Sequence, residues 1–356
     1  MMNRRRFLAG VGAVTATSLT GCLAELGQVY TSSEPPVVSN RPDAVYIPTH
    51  VEGMRMVGMA DAGGYRVGLF YSYPHRFWVV EADGDGFSTQ KIGLNPTDDV
   101  HLMATVWEPE TDIVVPVTGV SVELSQADEL VSEEVVYPML SQRMGAHYGD
   151  NFGLDGDGTY EVTVGVGAPS VQKFGSFADK FDAPAQATFD FEFSTRDRDD
   201  IEYTMLDEDK GKRGAVKPMS MESLPLGTAP DSLPGTGLGR ATSGDLIFVG
   251  SATDDERFGD DPYLAISPRT PYNSLLVPGM GLSVRVESGS NTRFEGELKP
   301  GLDPELGFHY GNSIPGLAGD DDVWVSVDVP PQVARHEGYE TAFLDFELVQ
   351  LTLPES

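Results

Sequence analysis

Apolar and polar side chains alternate in short runs along most of this chain. Tyr160-Glu161-Val162-Thr163-Val164-Gly165-Val166, Phe189-Asp190-Phe191-Glu192-Phe193 and Val323-Trp324-Val325-Ser326-Val327-Asp328-Val329 each put every second residue on one apolar face. That two-residue period marks a half-buried strand. Residues 128–136 leave room for a helical turn, although Val135-Val136-Tyr137 reads better as strand. Glycine and proline (40 and 25 residues) punctuate the runs, which predicts an all-β fold of antiparallel strands packed as sandwiches.

The pattern occurs twice. Residues 101–124 align without a gap to residues 263–286, with seven of 24 positions identical, among them Val115-Pro116 and Val277-Pro278. At the same offset of 162, Gly145-Ala146-His147-Tyr148-Gly149 meets Gly307-Phe308-His309-Tyr310-Gly311. Asp190-Phe191-Glu192-Phe193 further resembles Asp345-Phe346-Glu347-Leu348. Three matches in order, two sharing one offset, predict a duplicated unit. The first copy is placed at 44–195 and a degenerate second copy at 241–353, with 196–240 as a charged, then Pro- and Gly-rich, linker. Met219 and Met221 fall in that linker, where a mobile segment makes a poor metal site; a linker packed partly on a domain face is the plainer expectation.

The N-terminal pattern predicts an address. Arg4-Arg5-Arg6-Phe7-Leu8 reads as a twin-arginine signal, and the apolar run from Ala9 to Leu19 is short of the roughly 20 residues that span a bilayer. It ends in the lipobox Leu19-Thr20-Gly21-Cys22, whose cysteine, the only one in the chain, would carry a lipid. Residues 1–22 are thus read as a lipoprotein signal and 23–43 as a polar tether. The chain is expected on the outer face of the cell membrane, held there by the lipid. A net charge of −31 argues against nucleic acid as a partner and suits a high-salt, halophilic setting. Asp155-Gly156-Asp157-Gly158 lacks a calcium-loop register and reads as a turn.

Six histidines are present, at 50, 75, 101, 147, 309 and 336. No nucleophile–base pattern accompanies them, so an enzyme is not expected. A metal site fares better. On a strand His101 and Met103 project from one face, and Met139 and His147 flank a loop that returns over it. Imidazole binds copper and iron, and thioether favours Cu(I). His309 keeps its motif where its neighbours have changed (Tyr263, Ala265 and Gly301 replace His101, Met103 and Met139), which points to a structural role for it and in part for His147. Met54 and Met56, near His50, share a strand face and read as core filler or as a weaker site. His75 is expected in an exposed turn and His336 at the surface, and Phe70–Trp78 reads as a half-buried strand and turn.

Asp99-Val100-His101-Leu102, Tyr137-Pro138-Met139 and Gly145-Ala146-His147-Tyr148-Gly149, followed by the strand Tyr160–Pro169, together resemble the periplasmic iron-transport family over residues 44–195. The resemblance implies immunoglobulin-like β-sandwiches, here two in tandem, that bind a copper or iron ion outside the membrane and work beside an iron permease. Two positions and one loop depart from it: the stretch from Met139 to His147 is one residue longer than the family implies, which leaves Met144 as an alternative thioether to Met139. Met103 stands where the family has glutamate, and a further family histidine would fall near Phe177. The expected metal set is His101, Met103, Met139 and His147, leaning to copper, with function in iron uptake. Homodimer formation and pairing of the second copy with the first are further expectations. The alternative is a cell-surface interaction or assembly protein without metal. An oxidoreductase using the metal has no sequence signal beyond the site.

Overall fold

The computed structural model describes residues 35–221 and 223–351; the signal, the lipobox with Cys22 and most of the tether lie outside them. The architecture is all-β, as the alternation requires. In strand Ala185–Phe193 every second side chain is buried, and Gly158–Val166 behaves likewise, so each lays one apolar face on the core. Residues 129–135, where a helical turn had room, form a strand. Among the described residues no helix is long and apolar enough to cross a membrane.

In the first half, a large sheet runs in the order Arg55–Ala62, Tyr65–Ser72, Val100–Glu108, Gly145–Phe152, Tyr137–Ser141. It faces a four-stranded sheet built from Ala185–Phe193, Gly158–Val166, Val120–Gln126 and Glu129–Val135. Val67, Leu69, Leu102 and Tyr148 from the first meet Val122, Val162 and Phe191 from the second in one continuous core. The second half repeats the order with Thr236–Ser243, Leu246–Thr253, Tyr263–Arg269, Gly307–Ser313 and the long strand Asn291–Asp303, which continues into the opposite sheet.

The halves exchange strands. Ala334–Arg335, from the second half, pairs parallel with Tyr137–Ser141 of the first, aligning Ala334 with Met139 and Arg335 with Leu140. Gln172–Lys173, from the first half, pairs parallel with Asn291–Asp303 of the second, aligning Gln172 with Gly301 and Lys173 with Leu302. The repeat offset of 162 carries each aligned pair into the other. The two halves therefore exchange strands reciprocally, as the subunits of a dimer can, but inside one chain. Within residues 196–240, the described segments 196–221 and 223–240 pack on the domains at several points. Tyr203–Met205 pairs with His50–Glu52, and Met219 N–H donates to the Arg143 carbonyl at 2.9 Å.

Candidate metal centre

The site lies on the face of the first large sheet turned away from the main core. Register places His101 opposite Asn151, Met103 opposite Gly149, and His147 opposite Met139, so these side chains share that face. Leu102, Ala104 and Tyr148 take the opposite, apolar face. Two histidines not expected here join the cluster. His75, read as an exposed turn residue, is 2% exposed: its loop is folded inward by Asn151, whose Nδ2 donates to the His75 carbonyl at 2.9 Å. His336, read as a surface residue, is carried in by the exchanged strand Ala334–Arg335, with its own N–H on the Leu140 carbonyl at 3.2 Å. Ligating atoms of His75, His101 and His336 all lie within 4.8 Å of one another. His147 joins through His336, their ring centroids 5.2 Å apart, so the two expected anchors, His101 and His147, each face His336.

The hydrogen bonds fix which nitrogen His75, His101 and His147 present. Because Asn151 uses its amide nitrogen on His75, its Oδ1 accepts, and His101 Nδ1 donates to it at 2.8 Å. His147 Nδ1 donates to the Gly145 carbonyl at 3.0 Å, and His75 Nδ1 lies 3.3 Å from both the Tyr73 carbonyl and Glu52 Oε2. With Nδ1 carrying the proton, Nε2 presents a lone pair. The Nε2 atoms of His75, His101, His147 and His336 are all buried and have no hydrogen-bond partner. Four such orphans in one place are costly unless something accepts their lone pairs.

Burial keeps His101, His147 and His336 neutral. Burial, then the neighbouring His75, holds His101 well below the ordinary imidazole range, and burial followed by the other histidines does the same to His336. His147 is lowered to about 4, chiefly by burial. Glu52 sits outside the ring of histidines. Burial would raise its carboxyl, but His75 and the hydrogen bond from His50 outweigh that and hold it at about 2. Its Oε1 is 3.2 Å from His50 Nε2, so one carboxylate braces two imidazoles, the outer-sphere arrangement that orients metal-binding histidines.

The methionines divide. Met139 Sδ and His101 Nε2 approach the same side of Gly149: a β-carbon there would meet them at 3.3 and 3.0 Å. Met139 thus stands beside the imidazoles. Met103 and Met144 instead line the cleft that leads to His75 and His336. Met54 lines it too, whereas Met56 is largely exposed. Phe177, near which a further histidine was expected, is buried in the core. The residue facing the site is supplied by the other half, since the offset of 162 turns Phe174 into His336. Applied beyond the HYG motif, that offset was the signal in the sequence that could have found it.

The equivalent place in the second half is closed. Phe174 packs against Phe258 and Tyr263, with ring centroids at 4.7 and 5.1 Å, and Tyr263 O–H lies 3.1 Å from His309 Nε2. His309 Nδ1 is on the Gly307 carbonyl at 3.0 Å, so both nitrogens of this ring are satisfied and its role is structural.

The donors in the first half fit a transition-metal ion. Imidazole nitrogens gathered in one buried place, with a thioether alongside, suit copper or iron and not calcium or magnesium. Two nitrogens bound to one ion sit no more than about 4 Å apart, so a modest closure of this triad suffices.

Residues 89–195 match the model of a family described as Fe2+ transport protein, and residues 231–352 match a domain of unknown function, DUF7350. No curated protein matches the chain. Among solved structures, FetP of uropathogenic E. coli is 21% identical, covering 40% of this chain and 96% of its own, with a TM-score of 0.29. A copper-bound variant of Campylobacter jejuni P19 is 20% identical over 40% of this chain and 98% of its own, with a TM-score of 0.31. Over residues 89–195, where His101, Met139 and the HYG motif lie, this chain is similar to the family described as Fe2+ transport protein.

Proposed function

We propose that this chain is an extracytoplasmic protein, anchored to the outer face of the membrane through Cys22, that binds copper or iron and assists iron uptake beside a permease. The observation that carries the reading is the group of four buried, unpartnered Nε2 atoms of His75, His101, His147 and His336. Ligating atoms of His75, His101 and His336 lie within 4.8 Å of one another, and His147 stands beside His336. The family match over residues 89–195 supports iron uptake as the setting. In this reading His75, His101, His147 and His336 hold the ion, with Met139 as the thioether beside them. The ion supplies Lewis-acid or one-electron chemistry, and the chain supplies position. Asn151, Glu52 and the Gly145 carbonyl keep the rings aimed, and the exchanged strand closes the site from the second half.

The test is metal content and binding by the purified chain in high salt, beside a His101→Ala/His147→Ala variant and a His336→Ala variant. About one equivalent of copper or iron, lost in both variants, supports the reading. Equal weak binding in all three proteins would mean that the carboxylate surface merely collects cations. The interaction-protein reading would then replace it, and it has one observation in its favour: Leu130 and Val135 stand exposed on the edge strand Glu129–Val135.

A further inference from the structure

Beside the histidines lies a second concentration of metal-ligating side chains. Met103, Met144 and Met219 are buried in one small cluster, with Met54, Met59 and Met221 packed against it. These are six of the twelve methionines in the chain. If methionine were simply the filler of this protein's interior, it would be spread through the core. It is not: among the described residues the main core, drawn from both halves, contains a single methionine, Met280. The concentration belongs to this place.

The place is also open. Met54, Met103 and Met144 line a cleft with about 70 Å³ of free space, and His75, His336 and Glu52 line the same cleft. The cleft therefore joins a thioether wall to the imidazole cluster, with one carboxylate on its side. The far wall is held by the segment that crosses between the halves. Arg143 Nη1 donates to the Lys217 carbonyl at 3.2 Å, and Asn273 Nδ2 donates to the Val216 carbonyl at 2.9 Å. With the Met219 N–H on Arg143, these bonds seat Met219 and Met221 against the cluster.

Neutral, polarisable sulfur binds soft monovalent ions and discriminates against sodium, potassium, magnesium and calcium, which need oxygen. In a chain carrying 55 acidic residues, hard cations crowd the surface. A sulfur-lined approach lets a soft ion reach the imidazoles while those competitors stay outside.

We propose that Met54, Met103 and Met144, backed by Met59, Met219 and Met221, form a separate thioether site for a soft monovalent cation, Cu(I) in function, at the entrance to the histidine cluster. This deepens the metal-binding reading by naming the oxidation state in which copper arrives and the side chains it meets first. Ligand exchange from sulfur to imidazole moves the ion inward without a change of oxidation state, so no reductant or oxidant is needed.

The probe is silver(I), a redox-inert stand-in for Cu(I), added as the nitrate in a chloride-free buffer of high ionic strength. The purified chain carries 13C-labelled methionine methyl groups. Silver is expected to shift the Met54, Met103 and Met144 methyl resonances and to leave Met205 and Met280 in place. The same shifts are expected in a His101→Ala/His336→Ala variant, so failure of the histidine site and failure of the methionine site are told apart. In that background Met54→Leu/Met144→Leu, which keeps the packing volume, should weaken silver binding at least tenfold with an unchanged circular dichroism spectrum. In the otherwise unaltered chain the same pair should slow loading of the histidine site from Cu(I). Unmoved methyl resonances, or equal silver affinity in the leucine variant, would show that the methionines only pack. Should the leucine variant misfold, the methyl shifts in the unaltered chain decide the matter alone.

Discussion

At the scale of single residues, the HYG motif shows how one sequence serves two ends. Gly145 and Gly307 have φ of 68° and 67°, the left-handed turn that glycine adopts freely, and each carbonyl accepts from the histidine two residues on. Tyr148 O–H takes the Thr118 N–H at 3.1 Å, and Tyr310 O–H takes the Met280 N–H at 2.9 Å, so the tyrosine pins the same neighbouring loop in both halves. Gly149 leaves room for the His101 ring, as Gly311 does for Tyr263. The motif is thus a structural device common to both copies. Only the partner of Nε2 differs: Tyr263 O–H for His309, and none for His147. A pH dependence follows for His309. Burial, outweighing the bond His309 Nδ1 donates to the Gly307 carbonyl, lowers its imidazole from 6.5 to about 4. A lowered folded-state value means full stabilisation above about 6.5, the unfolded value, and progressive loss as pH falls towards 4. His309→Gln should therefore flatten the fall in unfolding free energy relative to the parent chain by on the order of 3 kcal/mol between pH 7 and 4. Denaturant melts at constant salt check this, the acidic background cancelling between the two proteins; equal slopes would mean that the ring is not held neutral.

At the scale of elements, the exchanged strands decide where chemistry can occur. Ala334–Arg335 is two residues long, yet it fixes His336 beside the first sheet. Its anchor is Arg335, wholly buried, with the guanidinium donating to the carbonyls of Ala342, Pro331 and Phe343 and packed on the Phe343 ring. Burial lowers this guanidinium to about 9. Arg335→Met should cost about 3 kcal/mol, because three buried carbonyls lose their donor and Glu340 loses a compensating charge. It should also weaken metal binding as His336 comes free. Its counterpart Lys173 bonds the Lys180 carbonyl and Asp182 near the surface, so Lys173→Met should cost no more than about 1 kcal/mol and leave metal binding unchanged. Denaturation curves with parallel metal titrations distinguish the two, and equal effects would remove the special role of the Arg335 loop.

At the scale of the whole molecule, charge is the dominant fact. With 55 acidic against 24 basic residues, self-repulsion opposes the compact state at low ionic strength. The Debye length shrinks from about 10 Å at 0.1 M salt to about 3 Å at 1 M, so repulsion among exposed carboxylates is screened while buried pairs such as Arg76–Glu337 persist. Raising potassium chloride from about 0.1 M to about 2 M should raise the melting temperature by roughly 10 °C, several kcal/mol of stability for a chain of this size. A melting temperature that fails to rise would refute the high-salt reading.

The sequence by itself determined what depends on local pattern. Period-two alternation in Tyr160–Val166 and Phe189–Phe193 dictated strands, because a pleated half-buried surface admits no other spacing. Likewise the offset of 162 disclosed the internal sequence repeat, and the spacing of His101 from Met103 put both on one face. What depends on which segments meet was left to the tertiary structure. Nothing local to His75 says that Asn151 will draw its loop inward, and nothing near His336 says that Arg335 will lodge its strand against the other half. Both histidines were therefore read as exposed, since a short polar segment looks like surface until its partner is known. The repeat showed that Phe174 and His336 correspond. Only the fold revealed that each faces the site of the other half, because strand exchange is a contact between residues far apart in the chain, and local sequence carries no energy term for it.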